Sequence, residues 1–266
     1  MQDARRHGVE VHAVDVAVSE WECVLERDAT NPPAVRLGLQ MIKGLSEVAA
    51  KRVVAARAMR AFASVNDLGR RALLDRRDLR LLAQARALPA LTDHRRDAHW
   101  QTLGVERPTP LLAASEIKET PAQLAAPSEG EDLIADYASL GFTLGRHPLA
   151  LLRSKLKRMR HVTASELRQY ENGRPARAIG IVIGRQRPDT ASGVVFVTLE
   201  DETGSLNVVV WRDIANRQRR ELLGSKLMGV EGVLEKKGEV VHLIARRLTD
   251  YSALLGQLRT ESRDFH

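Results

Sequence analysis

From Arg177 onward the apolar residues fall at every second position, and this period of two narrows the folds open to the chain more than any other feature. Ala178 to Ile183 reads as one strand and Val194 to Leu199 as a second, because alternation puts one apolar face on a core and leaves the other to solvent. Asp201-Glu202-Thr203-Gly204 supplies a turn, and Leu206 to Trp211 forms a third strand. Asp213 to Leu223 has helical spacing. Leu227 to Leu234, a Lys236-Lys237-Gly238 turn and a strand from Glu239 to Ala245 complete the series. Three strands, a helix and two strands is the order of an OB-fold, a five-stranded Greek-key barrel. It should occupy residues 175–250, with a tail over 251–266.

Upstream the period changes. Val9 to Val18 alternates as a strand would, and Asn31-Pro32-Pro33 stops it. Leu45, Val48, Ala49, Val53 and Ala56 recur at helical spacing, as do Leu74, Leu79, Leu81, Leu82 and Ala85. Asn66-Asp67 and Leu68-Gly69 read as the break between these two helical runs. Residues 104–130, with Pro108, Pro110, Pro121 and Pro127 among Ala, Ser, Thr and Glu, have the composition of a linker. A helix resumes near Asp132 and runs toward Leu140. Arg146 to His161 carries six Arg and Lys and no acid. It suits either a phosphate-tracking arm or a solvated helix face. Thr163 to Glu166 is a capping box, whose helix should stop at Asn172-Gly173. The fold class expected is α+β, a helical region followed by a five-stranded OB-fold barrel.

The formal charge is +7, and a basic surplus favours a polyanionic partner, since Arg and Lys displace counterions from phosphates. Cys23 stands alone, so neither a disulfide framework nor a Cys-rich zinc site is available. The histidines are scattered and match no metal-binding spacing. No apolar run approaches membrane-spanning length and the N-terminus lacks a signal-peptide core, so a cytoplasmic protein without a membrane partner is expected. Asp-x-Asp does not occur, and Asp201-Glu202 reads as turn chemistry.

Leu37-Gly38-Leu39-Gln40-Met41-Ile42-Lys43-Gly44-Leu45-Ser46 resembles the first helix-hairpin-helix of bacterial C-family DNA polymerases. Gly184 to Gly204, followed by Val208-Val-Val-Trp211, resembles the error-prone, damage-induced branch of the polymerase III alpha-subunit type. Leu140-Gly-Phe-Thr-Leu-Gly-Arg-His-Pro-Leu149 is similar to the same branch, and Ala4 to Val11 to the end of its fingers region. Ala17 stands where that family commonly has Asn, and Arg86 where a small or turn residue is common. The resemblance divides the chain into a fingers-type remnant (1–34), tandem helix-hairpin-helix (35–103), linker (104–130), basic helical connector (131–174), OB-fold and tail. It implies the C-terminal portion of an error-prone DNA polymerase acting in damage-induced translesion synthesis, DNA repair and replication.

The family's palm carboxylates, which hold two Mg²⁺ ions, are not in this sequence. No cofactor is therefore expected here, and the chain alone should be inactive as a polymerase. The partners implied are DNA, chiefly single-stranded template, a separate catalytic fragment and other mutagenesis or replication proteins. In a helix-hairpin-helix the Lys43-Gly44 turn would set a helix N-terminus against a backbone phosphate, with Lys51 and Arg52 adding charge. The OB-fold loops would carry Arg185, Arg187, Lys236 and Lys237. Phe196 and Trp211 lie on strands that offer stacking surfaces; alternation puts half of each strand inside and leaves either open to the core, which is favoured for Phe196, whereas Trp211 ends its strand and is the better stacking candidate. Two other readings remain: a docking module for replication or mutagenesis proteins, and a standalone single-strand binder.

Overall fold

The computed structural model describes residues 7–27, 32–105, 124–188, 193–238 and 240–257, in two compact units that divide between Gly145 and Arg146. Most of the expected linker, with Pro108, Pro110 and Pro121, lies outside the described residues. So do Ala4 to Arg6, Asn31, Asp189 to Ser192, Glu239 and the tail from residue 258.

The first unit opens on a small sheet in which β3 (Ala34–Arg36) lies between β1 (Val11–His12), parallel to it, and β2 (Val24–Glu26), antiparallel. Glu26 on β2 accepts from Arg36 at 2.8 Å and pairs with His12 at 2.5 Å. The Arg36 guanidinium first, and His12 second, hold its carboxyl down at about 2. The long strand expected from Val9 to Val18 is only two residues. Beyond it, Asp15 turns the chain by accepting from the Ala17 N–H through its carboxylate at 2.8 Å and from the Ser19 N–H through its carbonyl at 2.7 Å. Those bonds take backbone groups a ladder would need, while Val14 and Val16 still enter the core.

Five helices complete this unit: α1 (Glu47–Met59), α2 (Val65–Arg71), α3 (Arg76–Gln84), α4 (Arg95–Gly104) and α5 (Glu129–Ser139). Ser46, Ser64, Asp75, His94 and Ser128 cap them in turn, each accepting an orphan N–H of the first turn. Ala49, Ala50, Val53 and Ala56 of α1 are buried at the spacing the sequence showed. The segment expected to be a break is α2 itself. Ser64 starts it, Asp67 accepts from Ala63 N at 3.0 Å, and Gly69 is tolerated because a Cβ there would press on Leu79 and Val105 at 3.2 Å. Leu37, Leu39, Ile42, Leu68, Leu79, Leu82 and Leu88 form the centre of the core.

The second unit carries α6 (Pro148–Arg158) and α7 (Ala164–Gln169) ahead of the barrel. Pro148 sits in the first turn of α6, where its missing N–H costs nothing. The Thr163–Glu166 capping box forms as read, but α7 ends at Gln169, short of Asn172-Gly173. The barrel strands are β4 (Pro175–Gln186), β5 (Val195–Asp201), β6 (Gly204–Val210), β7 (Leu227–Lys237) and β8 (Val240–Asp250). They close in the order β4-β5-β6-β8-β7, with β6 and β8 parallel. This is the OB-fold barrel. The helical interval splits into α8 (Arg212–Arg217) and α9 (Arg219–Gly224) at Gln218, whose amide donates to Leu248 O and accepts from Leu248 N, both at 2.8 Å. A short α10 (Ala253–Gln257) follows β8.

Candidate nucleic-acid interface

The inward side chains of β5, Val195, Val197 and Leu199, alternate with outward Phe196, Thr198 and Glu200. Register then sets what surrounds them. Phe196 lies opposite Gln186 on β4 and Val209 on β6. Thr198 lies opposite Gly184 and Asn207, and Asn207 opposite His242 on β8. Thr198 and Asn207 meet at 3.4 Å. Phe196, expected in the core, is therefore on the outer face and 37% exposed. The reason is parity: Val195 and Val197 fill the core, and an adjacent residue must point the other way. Trp211, one residue past β6, is 55% exposed and begins α8. One face thus presents an aromatic ring, two amide or hydroxyl groups and a flat glycine position between strands.

That face is graded in charge. Glu200 stands opposite Ile181 and Ser205 at one end, about 13 Å along the strand from Phe196. Arg187, exposed and without an ion pair among the described residues, stands past Gln186 at the other. The face therefore runs from an acidic residue at one end to a basic one at the other.

The other basic candidates are more constrained than the sequence implied. Arg185 donates through Nε to Leu222 O at 2.6 Å and through a terminal nitrogen to Ser225 O, closing the end of α9, and burial pushes its pKa down. Lys236 donates to Arg168 O at 2.7 Å at the end of α7. Lys43 donates to Tyr137 O at 2.9 Å near the end of α5. Each cation meets carbonyls of a last helical turn and the negative end of a helix dipole, worth about 0.3–1 kcal/mol. Lys51 pairs with Glu47 at 2.7 Å, which raises its pKa, Arg52 lies 3.7 Å from Asp78, and Lys237 pairs with Glu235 at 3.1 Å. Gly44 has φ +84 and precedes the Ser46 cap, so the tight turn before α1 forms.

In the basic run 146–161, Arg153 is committed. It holds Glu202 with two bonds of 2.5 and 2.7 Å, and its pKa rises while that of Glu202 falls. Asp201 is buried and accepts from Thr203 N and from Ala164 N at the start of α7, both at 2.7 Å. The acidic pair is hairpin and helix-start chemistry. Among the described residues no group of three or more His, Cys, Asp or Glu is placed to hold a metal ion, so nothing there fits a two-metal centre. Nor is any helix among them long and apolar enough to cross a membrane. Sequence reading missed Thr198 and Asn207. The available signal was their two-residue offset from Phe196 and Val209 on the outer face.

Residues 8–98 match the helix-hairpin-helix motif family and residues 177–251 the OB-fold nucleic acid binding domain family. An error-prone DNA polymerase of Alkalilimnicola ehrlichii is 53% identical over 266 residues, and one of an Azoarcus species 57% identical over 271. Each alignment takes in 100% of this chain and 26% of the relative, so the chain spans about a quarter of their length. Among solved structures, an asparaginyl-tRNA synthetase of Pyrococcus horikoshii overlays on 34% of this chain and 22% of its own, with a TM-score of 0.30 and 19% identity. Along its whole length, then, the chain is a relative of the bacterial error-prone DNA polymerases, matching about a quarter of each and joining a helix-hairpin-helix region to an OB-fold nucleic-acid-binding domain.

Proposed function

We propose that this chain is the template-guiding, C-terminal region of an error-prone DNA polymerase, and that its barrel takes single-stranded DNA across β5 and β6. The observation that carries this reading is Phe196, held out of the core beside Thr198 and Asn207 with Trp211 exposed beyond it. A base stacks on an aromatic ring whatever its identity, the neighbouring amide and hydroxyl bind its edge, and Arg187 meets the backbone. Such a site tracks template without reading it, as damage-tolerant synthesis in DNA repair requires. The turn at Gly44 and the Ser46-capped start of α1 add a place for a duplex phosphate. Polymerisation itself belongs to residues outside this chain.

The test is fluorescence anisotropy with labelled single-stranded and duplex oligonucleotides over a salt series. Phe196→Ala and Trp211→Ala should each weaken single-strand binding by roughly 1–3 kcal/mol. Single-strand binding unchanged in both variants would dismiss this face. No DNA binding at low salt, with tight capture of a replication protein, would favour the docking role instead.

A further inference from the structure

We propose that the barrel carries a second track for a nucleic-acid phosphodiester backbone, an arginine-lined groove across β4, β7 and β8, on strands other than the β5–β6 pair that bears Phe196. The proposal rests on the DNA-binding reading above and adds a surface to it. Arg160, Arg174, Arg177, Arg246 and Arg247 line a groove of about 450 Å³, together with Tyr170 and one carboxylate, Glu231. All five guanidinium side chains belong to exposed residues. Among the described residues Glu231 makes its ion pair with Arg177, at 3.1 Å. Arg160, Arg246 and Arg247 have no ion pair among the described residues. Like charges gathered this closely repel one another, and a polyanion relieves that repulsion.

The backbone is shaped to make the cluster. Arg177, Glu231 and Arg247 form one cross-strand row on the outer face. Strict alternation would then turn Arg246 inward. Instead the register shifts between Glu231 and Gly232, so that Gly232 lies opposite Ala245 while Glu231 lies opposite Arg247. Arg246 is the extra residue of this bulge, and both arginines face solvent between buried Ala245 and Leu248. Position 232 has to be glycine for this, since a Cβ there would stand 2.1 Å from Ile244 O.

The rim is held as firmly. Gly173 N donates to Leu234 O at 2.8 Å and Leu234 N to Arg174 O at 3.0 Å, which fixes the chain beside β7. The Arg174 guanidinium then lies 3.9 Å over the Tyr170 ring, and that stacking fixes its plane. Arg160 turns into the groove from a left-handed backbone, φ +63. Every cation is arginine. Its rigid, two-pronged donor set suits phosphate oxygens better than a lysine point charge does, and the groove is open to a passing strand rather than closed around a small anion.

The full chain is titrated with labelled single-stranded and duplex oligonucleotides over a salt series, as wild type, as the triple variant Arg174→Gln/Arg246→Gln/Arg247→Gln, and as Phe196→Ala/Trp211→Ala. An unlabelled polyglutamate competes in parallel, and circular dichroism confirms folding. The triple variant should bind at least about tenfold more weakly and lose about 2 (single strand) or nearly 3 (duplex) from the slope of log K against log salt, as expected for about three phosphate contacts. The aromatic variant should keep the wild-type slope. Whichever of the two oligonucleotides loses the slope is the one that occupies the groove. DNA binding by wild type with an unchanged slope in the triple variant overturns the groove and leaves the β5–β6 reading standing. Wild-type binding in the aromatic variant, with the slope lost in the triple one, retains the groove and removes the β5–β6 site. No DNA binding overturns both, and displacement of DNA by polyglutamate at lower concentration than by unlabelled DNA overturns the choice of occupant.

Discussion

His161 is 6% exposed, with its ring edge against Tyr251, and burial lowers its pKa, with Arg177 adding to the effect. The unfolded chain therefore takes up a proton at this position before the folded one does. Its contribution is complete above the unfolded pKa of about 6.5 and is lost as pH falls toward the lowered folded value. His12 has the opposite sign. The hydrogen bonds its imidazolium donates to Glu26 and then Glu10 raise its pKa, so its contribution is present at low pH and lost as pH rises through that raised value. Thermal unfolding between pH 5 and 8 should show His161→Phe flattening the acid side of the profile, while an unaltered profile would mean the imidazole is solvated. A second residue-level test concerns Arg86, which stands where a turn residue was expected. It has φ +55 and closes α3 in the left-handed region. Arg86→Gly should gain roughly 0.5–1 kcal/mol, the left-handed strain removed less the extra entropy of glycine, read from denaturant midpoints.

At the scale of elements, short helices are finished by cations from elsewhere in the same unit. Arg71 closes α1 by donating to Ala56 O and to Arg60 O at 2.8 Å, as Lys43, Arg185 and Lys236 close α5, α9 and α7. A fixed part of the basic surplus is structural, and only the remainder is open to phosphates. Arg71→Ala leaves carbonyls without donors and should cost about 1–3 kcal/mol, whereas Lys51→Ala on the exposed side of α1 should leave the denaturation midpoint nearly unchanged, because its pair with Glu47 is open to solvent. Equal losses in urea denaturation would refute the distinction. Gly232→Ala is the sharpest test of the β7–β8 bulge. Its Cβ meets a backbone carbonyl that cannot swing away, and a loss of about 3 kcal/mol or more is expected.

For the whole molecule the decisive quantity is how the +7 charge is distributed. DNA that binds only the folded chain must raise its unfolding temperature, by an amount that grows with oligonucleotide concentration and shrinks with salt. Calorimetry with and without a single-stranded oligonucleotide, at low and high salt, checks this. A midpoint indifferent to DNA at low salt would separate the charge surplus from nucleic-acid binding.

Local pattern alone was enough for the five strands, the Thr163–Glu166 capping box and the glycine turn at Gly44, since alternation, cap chemistry and positive φ act within a few residues. It was misleading where long-range partners decide. α2 forms through Asn66 to Gly69 because Ser64 caps it and Leu79 and Val105 close over its glycine. The strand after His12 stops because Asp15 captures its backbone. The interface divides in the same way. The exposure of Trp211 was legible from its place at the end of a strand, whereas Phe196 was expected in the core, because alternation does not say which of the two faces of β5 the barrel buries. Whether a given Lys or Arg faces a phosphate or a helix carbonyl depends on which chain ends the fold brings within reach of a long side chain. The arginine groove is the clearest instance. Arg246 and Arg247 are adjacent in sequence, but the bulge opposite Gly232 turns both outward, and glycine at 232 leaves the room that the Ile244 carbonyl takes up there.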